Sequence, residues 1–171
     1  MLLDVGGPGL ATILLTAHVE TVIVLNVDVA SLSPNHVDGA TSMQRIVGDG
    51  GNLPFADNSV DFVLSDNVIE HVPDRERFAA EVMRVARRGV FLTTPNYWFP
   101  FEPHYHMPFF QFLPRAVRSQ LLKLFDFGFA GRDSFIELLT ARELKTLLPG
   151  ANVEGIAFFV LPETLIAWCR K

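Results

Sequence analysis

The chain contains little cysteine and little charge. Of its 171 residues, one is cysteine, Cys169, and 19% are charged. A single cysteine cannot form an internal disulfide, and its place near the end of an apolar run favours a buried thiol over a nucleophile. The cysteine content therefore predicts a reducing compartment, and we expect a cytoplasmic protein.

Basic residues and long apolar runs are also scarce. Lysine and arginine number 14 against 19 aspartate and glutamate residues, which gives a formal net charge of -5. This balance disfavours binding to a nucleic-acid backbone. No run of 18 apolar residues occurs, and the start lacks the basic segment and cleavage site of a signal peptide. We therefore expect a soluble protein that does not bind nucleic acid.

Hydrophobic residues make up 49% of the chain, which predicts a packed core. Apolar, β-branched segments alternate with helical patterns along the sequence. The predicted strands are Met1 to Val5, Thr21 to Val27, Met43 to Val47, Val60 to Ser65, Val90 to Pro95, Val153 to Val160 and Thr164 to Cys169. The predicted helices include Leu10 to Val19 and Thr140 to Leu148. This order predicts one domain over residues 1–171, with an α/β, doubly wound, mostly parallel seven-stranded sheet and an antiparallel edge.

The clearest helical pattern begins at Asp74. Apolar residues recur at i, i+4 and i+7, namely Phe78, Val82 and Val85. The segment Arg87 to Gly89 is typical of a helix C-terminus, where basic side chains and a terminal glycine are favoured. We therefore expect this helix to end at Gly89.

A glycine-rich turn, "DVGGPG", follows the first predicted strand. Its glycines, Gly6, Gly7 and Gly9, allow the backbone to pass close to a ligand, and the next helix would present unpaired N–H groups. In a doubly wound sheet, ligands bind beyond the carboxyl ends of the strands. Asp28 closes the second strand, where a carboxylate can accept both hydroxyls of a ribose. Together these residues predict a cofactor that contains adenosine.

The segment "VGDGGNLPFADNSVDFVLSDNVIEHV", Val47 to Val72, resembles the class I S-adenosylmethionine-dependent methyltransferases of the small-molecule, type 11-like kind. The resemblance implies a Rossmann-like fold, S-adenosylmethionine as cofactor and S-adenosylhomocysteine as product. It also implies the cofactor-binding residues: Asp4 and the glycine turn with Gly6 and Ser65 toward the methionine part, Asp28 at the ribose, Asp49 at the adenine amino group, and Gly50 through its backbone.

Two features depart from the family pattern. The turn "DVGGPG" is one residue shorter than the usual acidic-x-Gly-x-Gly-x-Gly loop. The family also usually has a helix before the first strand that closes over the cofactor, whereas here that strand begins at Met1 or Leu2. Three arrangements are compatible with this start: additional residues upstream, an open pocket, or a homodimer in which a second subunit covers the pocket.

An aromatic and proline-rich insertion spans about residues 96–136, where the family builds its acceptor pocket. We therefore expect a small-molecule acceptor that is partly apolar. Glu102, His104 and His106 alternate, so an extended backbone would point all three to one side. We predict His104 and His106 as catalytic residues, because a histidine can act as general base near neutral pH. A two-His, one-carboxylate metal site and a purely structural role are the alternatives, and we expect no resident metal.

The segment Pro114 to Phe125 has the pattern of an amphipathic helix with Arg115, Arg118 and Lys123. We expect it to cover the acceptor pocket; contact with a membrane surface is the less favoured interpretation. The leading hypothesis is methyl transfer to a small molecule, for example a lipid or glycoconjugate precursor. The alternatives are a non-catalytic binding or interaction module of the same fold and, more remotely, an NAD-dependent oxidoreductase.

Overall fold

The computed structural model describes residues 1–7, 19–28, 42–124, 136–157 and 161–171. The predicted helix from Leu10 lies almost entirely outside the described residues, as does Gly9. Seven strands form the main sheet: β1 (Leu2–Val5), β2 (Thr21–Asn26), β3 (Ser42–Val47), β4 (Val60–Asp66), β5 (Ala86–Pro95), β8 (Asn152–Ala157) and β9 (Pro162–Arg170). A separate two-stranded ribbon consists of β6 (Phe101–Glu102) and β7 (Met107–Pro108).

The sheet has the order β3-β2-β1-β4-β5-β9-β8. The first five strands pair in parallel, and β9 pairs antiparallel with both β5 and β8. The predicted α/β sheet with seven strands and an antiparallel edge is therefore confirmed. From β1 the chain proceeds outward to β2 and β3 and then returns to β4 on the other side of β1. The carboxyl edge between β1 and β4 is thus the topological switch point, where ligands bind in such sheets.

The core is built from continuous apolar strands. All four residues of β1 and the central four of β2 are buried, as expected for strands covered on both faces. Helix α1 (Arg75–Val85) places Phe78, Val82 and Val85 against the sheet, and Asp74 caps its N-terminus by accepting a hydrogen bond from the Arg77 N–H at 3.0 Å. These contacts pack helix α1 against the strands that carry the loops of the carboxyl edge.

The predicted helix end at Gly89 is wrong. Helix α1 ends at Val85, and β5 begins at the next residue, so Arg87 and Arg88 belong to the strand. The reason is the strand ladder, in which Gly89 pairs with Phe62 on one side and Arg170 on the other. A Cβ atom at Gly89 would lie 2.5 Å from the Cys169 carbonyl oxygen, so this glycine permits close strand pairing rather than a helix cap.

Two further helices lie among the later described residues. Helix α2 (Arg115–Leu124) has no buried residue, whereas α3 (Ala141–Leu147) begins with a capping box between Thr140 and Glu143. Cys169 is buried on β9, as predicted. Within the described part of the chain, no helix combines the length and apolarity needed to cross a membrane.

Candidate functional site

The glycine turn after β1 is held by backbone bonds and close packing. Gly6 has a φ of +93° and donates its N–H to the Leu25 carbonyl at 2.7 Å. A Cβ atom at Gly7 would lie 1.7 Å from Oδ2 of Asp4, which is fully buried. The turn therefore requires glycine at both positions, at Gly6 for its backbone conformation and at Gly7 because the Asp4 carboxylate fills the space.

Asn26, at the end of β2, joins this turn to the neighbouring strand. Its Nδ2 donates to the carbonyl oxygens of Gly6 at 2.9 Å and Gly7 at 3.2 Å, while its Oδ1 accepts from the Val27 N–H at 2.8 Å. Sequence reasoning missed this residue. The available signal was an amide side chain at the last position of an otherwise apolar strand, a type that can bind several backbone groups at once.

The two carboxylates predicted for the adenosine part follow β2 and β3. Asp28 is half-buried two residues beyond β2. Asp49 is exposed, and its Oδ1 accepts from the Gly51 N–H at 2.8 Å, which shapes the turn after β3. Gly50 is buried, and a Cβ there would come within 2.7 Å of the Phe78 ring. Both carboxylates therefore lie at the carboxyl edge, with Gly50 packed against α1.

The switch point itself is formed by the turns after β1 and β4. A Cβ at Gly6 would lie 2.3 Å from Cγ2 of Val68, which shows how closely the two turns approach. Ser65, at the end of β4, is fully buried, and its Oγ has no hydrogen-bond partner among the described residues. Asp4 and Ser65 point to opposite faces of the sheet, because Asp4 shares the face of Leu2 and Ser65 the face of Val63.

The "LPFAD" segment of the sequence motif is fixed by two side chains of α1. Arg84 donates to the carbonyl oxygens of Leu53 at 3.1 Å and Phe55 at 2.8 Å, and it pairs with Asp57 at 2.7 Å. Glu81 accepts from the Leu53 N–H at 2.8 Å. Its hydrogen bond with Arg84 holds the pKa of Glu81 below the ordinary value. This motif thus acts by anchoring the chain that follows Asp49.

The expected extended arrangement of Glu102, His104 and His106 is wrong. The chain turns between β6 and β7, and His106 has a φ of +53° and is exposed. His104 is instead half-buried, and its Nδ1 lies 2.7 Å from Oε1 of Glu102. The tight turn required to pair β6 with β7 separates the two histidines. Only His104 of this pair enters a polar cluster.

That cluster contains Glu70, His71, His104 and Glu102. The His104 Nε2 lies 3.9 Å from Oε1 of the buried Glu70, and the rings of His71 and His104 meet edge to face at 5.0 Å. Burial raises the pKa of Glu70 to about 7 and lowers that of His71. Burial also opposes protonation of His104, but its hydrogen bond to Glu102 and the charges of Glu102 and Glu70 outweigh this effect and raise its pKa. Neither Glu70 nor His71 is among the site residues predicted from the sequence.

A protein family described as "Methyltransferase domain" matches residues 3–94, which is more than half of the chain. The chain belongs to this methyltransferase family. The resemblance to class I S-adenosylmethionine-dependent methyltransferases is thereby confirmed. The match favours this family over the NAD-dependent oxidoreductases that use a similar glycine turn.

Known relatives agree with this assignment. An uncharacterized methyltransferase of Mycobacterium marinum is 42% identical over 92 residues, which cover 52% of this chain and 35% of that protein. The norajmaline N-methyltransferase of Rauvolfia serpentina is 45% identical over 51 residues, covering 30% of this chain and 18% of that protein. The chain thus corresponds to about a third or less of the length of these two relatives.

The fold of the methyltransferase has close counterparts among solved structures. The S-adenosylmethionine-dependent methyltransferase of Mesorhizobium loti superposes with a TM-score of 0.66 at 15% sequence identity, covering 99% of this chain and 90% of that one. At this identity the likeness establishes the fold. The glycine turn is compatible with a nucleoside cofactor, because a Cβ at Gly6 or Gly7 would clash with Val68 or Asp4 and glycine keeps the turn compact at the switch point.

The aromatic segment, residues 96–124, presents aromatic side chains to solvent. Trp98, Phe101, Phe109 and Phe112 are exposed. Tyr97 meets two of these rings edge to face, Trp98 at a centroid distance of 5.1 Å and Phe112 at 5.3 Å. Gln111 ties the segment together by donating to the carbonyl oxygens of Tyr97 and Phe99. The sequence predicts that the helix now seen as α2 covers the acceptor pocket. None of the residues of α2 is buried.

Proposed function

We propose that this chain binds S-adenosylmethionine at the carboxyl edge of β1, β2 and β3 and transfers its methyl group to a small, partly apolar acceptor. The observation that carries the proposal is the glycine turn at the switch point. Its carbonyl oxygens accept hydrogen bonds from Asn26, and it packs against the buried carboxylate of Asp4. Glycine at both positions lets the turn pack against Val68 and Asp4 at the edge of the sheet where ligands bind in such folds.

The proposed cofactor contacts follow from the position of each residue. The backbone of Gly6 and Gly7 would face the methionine part, with Asp4 holding the turn in place. Asp28, half-buried after β2, would accept the ribose hydroxyls. One oxygen of Asp49 accepts a hydrogen bond from the Gly51 N–H. Its second oxygen would accept a hydrogen bond from the adenine amino group beside Gly50. The buried Ser65 Oγ is a further polar group near the methionine end.

When bound, the cofactor supplies a methyl carbon that its sulfonium already activates. The chain therefore has three tasks: to hold the cofactor at the carboxyl edge, to place the acceptor atom in line with that methyl, and to exclude water. Positioning of this kind can supply a large part of the acceleration of a two-reactant step. Asn26 holds the glycine turn by hydrogen bonds, and Arg84 holds the "LPFAD" segment in the same way. These contacts support the first task.

The acceptor is proposed to lie against the aromatic segment and His104. The exposed rings of Trp98 and Phe112 offer an apolar surface, and His104, oriented by Glu102, offers a polar group. The norajmaline N-methyltransferase among the relatives is consistent with a small-molecule acceptor. A lipid or glycoconjugate precursor is the acceptor class that we propose, because it combines apolar and polar parts.

Calorimetric titration with S-adenosylhomocysteine tests the cofactor assignment. We expect saturable binding to the wild-type chain and none with NAD. Asp28→Asn should weaken binding by at least about ten-fold, since loss of a charged hydrogen-bond partner costs about 1–3 kcal/mol. Glu20→Gln is the matched control, because Glu20 is an exposed carboxylate just before β2, at the opposite end of that strand.

Unchanged affinity in Asp28→Asn, or an equal loss in Glu20→Gln, would contradict the assignment. Methyl transfer is then tested with methyl-labelled S-adenosylmethionine and a panel of amphiphilic alcohols and amines. Binding of S-adenosylhomocysteine without transfer to any member of the panel would favour the alternative of a non-catalytic binding module.

A further inference from the structure

One carboxylate oxygen of Glu70 is buried and has no hydrogen-bond partner among the described residues. Glu70 lies on a short 3-10 helix after β4, and its side chain is fully buried. Its Oε2 accepts from the Thr94 hydroxyl at 3.0 Å, whereas its Oε1 has no partner among the described residues. Leaving such an atom unpaired is unfavourable, because it has lost its hydration without gaining a hydrogen bond. A partner that would satisfy it must therefore be a donor or a cation.

The Nε2 of His104 lies 3.9 Å from that oxygen. The tautomer of His104 is set on the other side of its ring by Glu102, which is buried and lies 2.7 Å from Nδ1. The second oxygen of Glu102 accepts from the Tyr105 N–H at 2.7 Å, so Glu102 is itself fixed. When Nδ1 carries the proton, Nε2 presents a lone pair toward Glu70. In metal sites, the ring nitrogen of a histidine that does not bind the metal usually donates a hydrogen bond to a carboxylate or carbonyl oxygen, which orients the ring.

His71 completes the set. One ligand atom from each of Glu70, His71 and His104 lies within 4.8 Å of the other two. Donors that bind one cation at about 2.1 Å are separated by about 3 to 4 Å, so a small side-chain movement would bring all three into coordination. His71 is exposed, which leaves a path for a cation and open coordination positions.

We propose that Glu70, His71 and His104 bind a divalent transition-metal cation, with Glu102 as the residue that orients His104. Two imidazoles and one carboxylate suit Zn²⁺, Fe²⁺ or Co²⁺. This set differs from the Glu102, His104 and His106 site considered from sequence, because the turn after β6 exposes His106 and brings His104 to the chain following β4. In this site the Nε2 of His104 is a metal ligand rather than a proton acceptor. The proposed acceptor surface also includes His104, so the cation would lie next to the acceptor; metal binding itself is measured without methyl transfer.

Cobalt titration tests the site directly. Tag-free protein, treated with chelator and dialysed, is titrated with Co²⁺ and followed by visible absorption and calorimetry. We expect one Co²⁺ per chain, displaced by Zn²⁺. Glu70→Gln, His71→Ala and His104→Ala should each reduce affinity at least ten-fold, and Glu102→Gln should also reduce it, because it removes the support of His104.

His106→Ala is the matched control, since this exposed histidine lies two residues from His104 and should leave the affinity unchanged. Histidine ring resonances of the wild-type chain provide a measurement that needs no variant: Zn²⁺ should shift those of His71 and His104 but not those of His106. Absence of saturable binding at one equivalent, or an equal loss in His106→Ala, would overturn the proposal. Binding of S-adenosylhomocysteine, measured in the same samples, reports separately on the cofactor site.

Discussion

The half of the chain that carries the cofactor-side turns differs sharply from the aromatic segment over residues 96–124. In the first, Asn26 holds the turn after β1, and Arg84 and Glu81 hold the segment after β3, while β1 and the centre of β2 are buried. In the second, Trp98, Phe109 and Phe112 are exposed, and α2 buries no residue. The contrast agrees with the proposed function, in which a closely held set of turns binds one cofactor and a more open aromatic surface receives the acceptor.

The largest effect is expected at Gly7. In Gly7→Ala, the new Cβ would lie 1.7 Å from the buried Asp4 carboxylate, so the turn must move. We expect affinity for S-adenosylhomocysteine to fall by about 100-fold or more, with a loss of about 1–3 kcal/mol in the free energy of unfolding. Gly51→Ala is the control, because its Cβ would meet only ordinary contacts at 3.4 Å. Equal behaviour of the two variants in calorimetry would show that the turn does not shape the ligand site.

A smaller effect is expected at Asn26. Asn26→Ala removes the donor to the carbonyl oxygens of Gly6 and Gly7, which costs about 1–3 kcal/mol if those atoms remain unsatisfied. We expect about a ten-fold loss of affinity for S-adenosylhomocysteine in the same titration. Asn26→Asp keeps the shape but replaces the donor with an acceptor, and it should be at least as damaging. Wild-type affinity in Asn26→Asp would show that the hydrogen bonds from Asn26 to the glycine turn do not shape the ligand site.

The third prediction concerns pH and the anchor of the "LPFAD" segment. Because the hydrogen bond from Arg84 lowers the pKa of Glu81, this carboxylate contributes stability above its unfolded value of 4.5 and loses it as the pH falls through its lower folded value. Glu81→Gln should therefore lower the free energy of unfolding at pH 7 by about 1 kcal/mol. The difference from wild type should close below pH 4.5 in urea titrations. Glu76→Gln, on an exposed position of the same helix, should show a smaller change, and a gap that persists at low pH would contradict the proposed cause.

The smallest effect on the fold is expected in the aromatic segment. Trp98 is 64% exposed, so Trp98→Ala should change the free energy of unfolding by less than about 1 kcal/mol and leave the affinity for S-adenosylhomocysteine unaltered. Phe78→Ala, at a side chain that is 1% exposed, should cost about 3–5 kcal/mol. Thermal and urea unfolding compare the two. A large loss of stability in Trp98→Ala would show that the aromatic segment is as constrained as the cofactor side.

The cofactor half was predictable from sequence because its determinants are local. Buried parallel strands leave unbroken apolar runs, and a turn that needs glycine must contain it, so β1, β2 and Gly6 could be inferred directly. Gly89 shows the limit of such inference. Its position after two arginines is typical of a helix end, but the strand ladder with β4 and β9 decided its role, and that ladder depends on residues far away in the chain.

The acceptor side was less predictable because its geometry depends on contacts between distant segments. Alternation of Glu102, His104 and His106 indicated one shared face, yet the turn between β6 and β7 separated the histidines. Glu70 gave no signal in the sequence, since its importance depends on burial against Thr94 and on the approach of His104 from more than thirty residues away. Asn26 was overlooked for a similar reason, because its partners belong to another strand's turn.

Amide chemical shifts of the ¹⁵N-labelled chain, measured with and without S-adenosylhomocysteine, test the central claim most directly. We predict that the largest shifts occur at the amides of Gly6, Gly7, Asp28, Asp49 and Gly50, with small shifts over residues 96–124. Shifts concentrated in the aromatic segment, or absent at saturating S-adenosylhomocysteine, would contradict the assignment of the cofactor to the carboxyl edge of β1, β2 and β3.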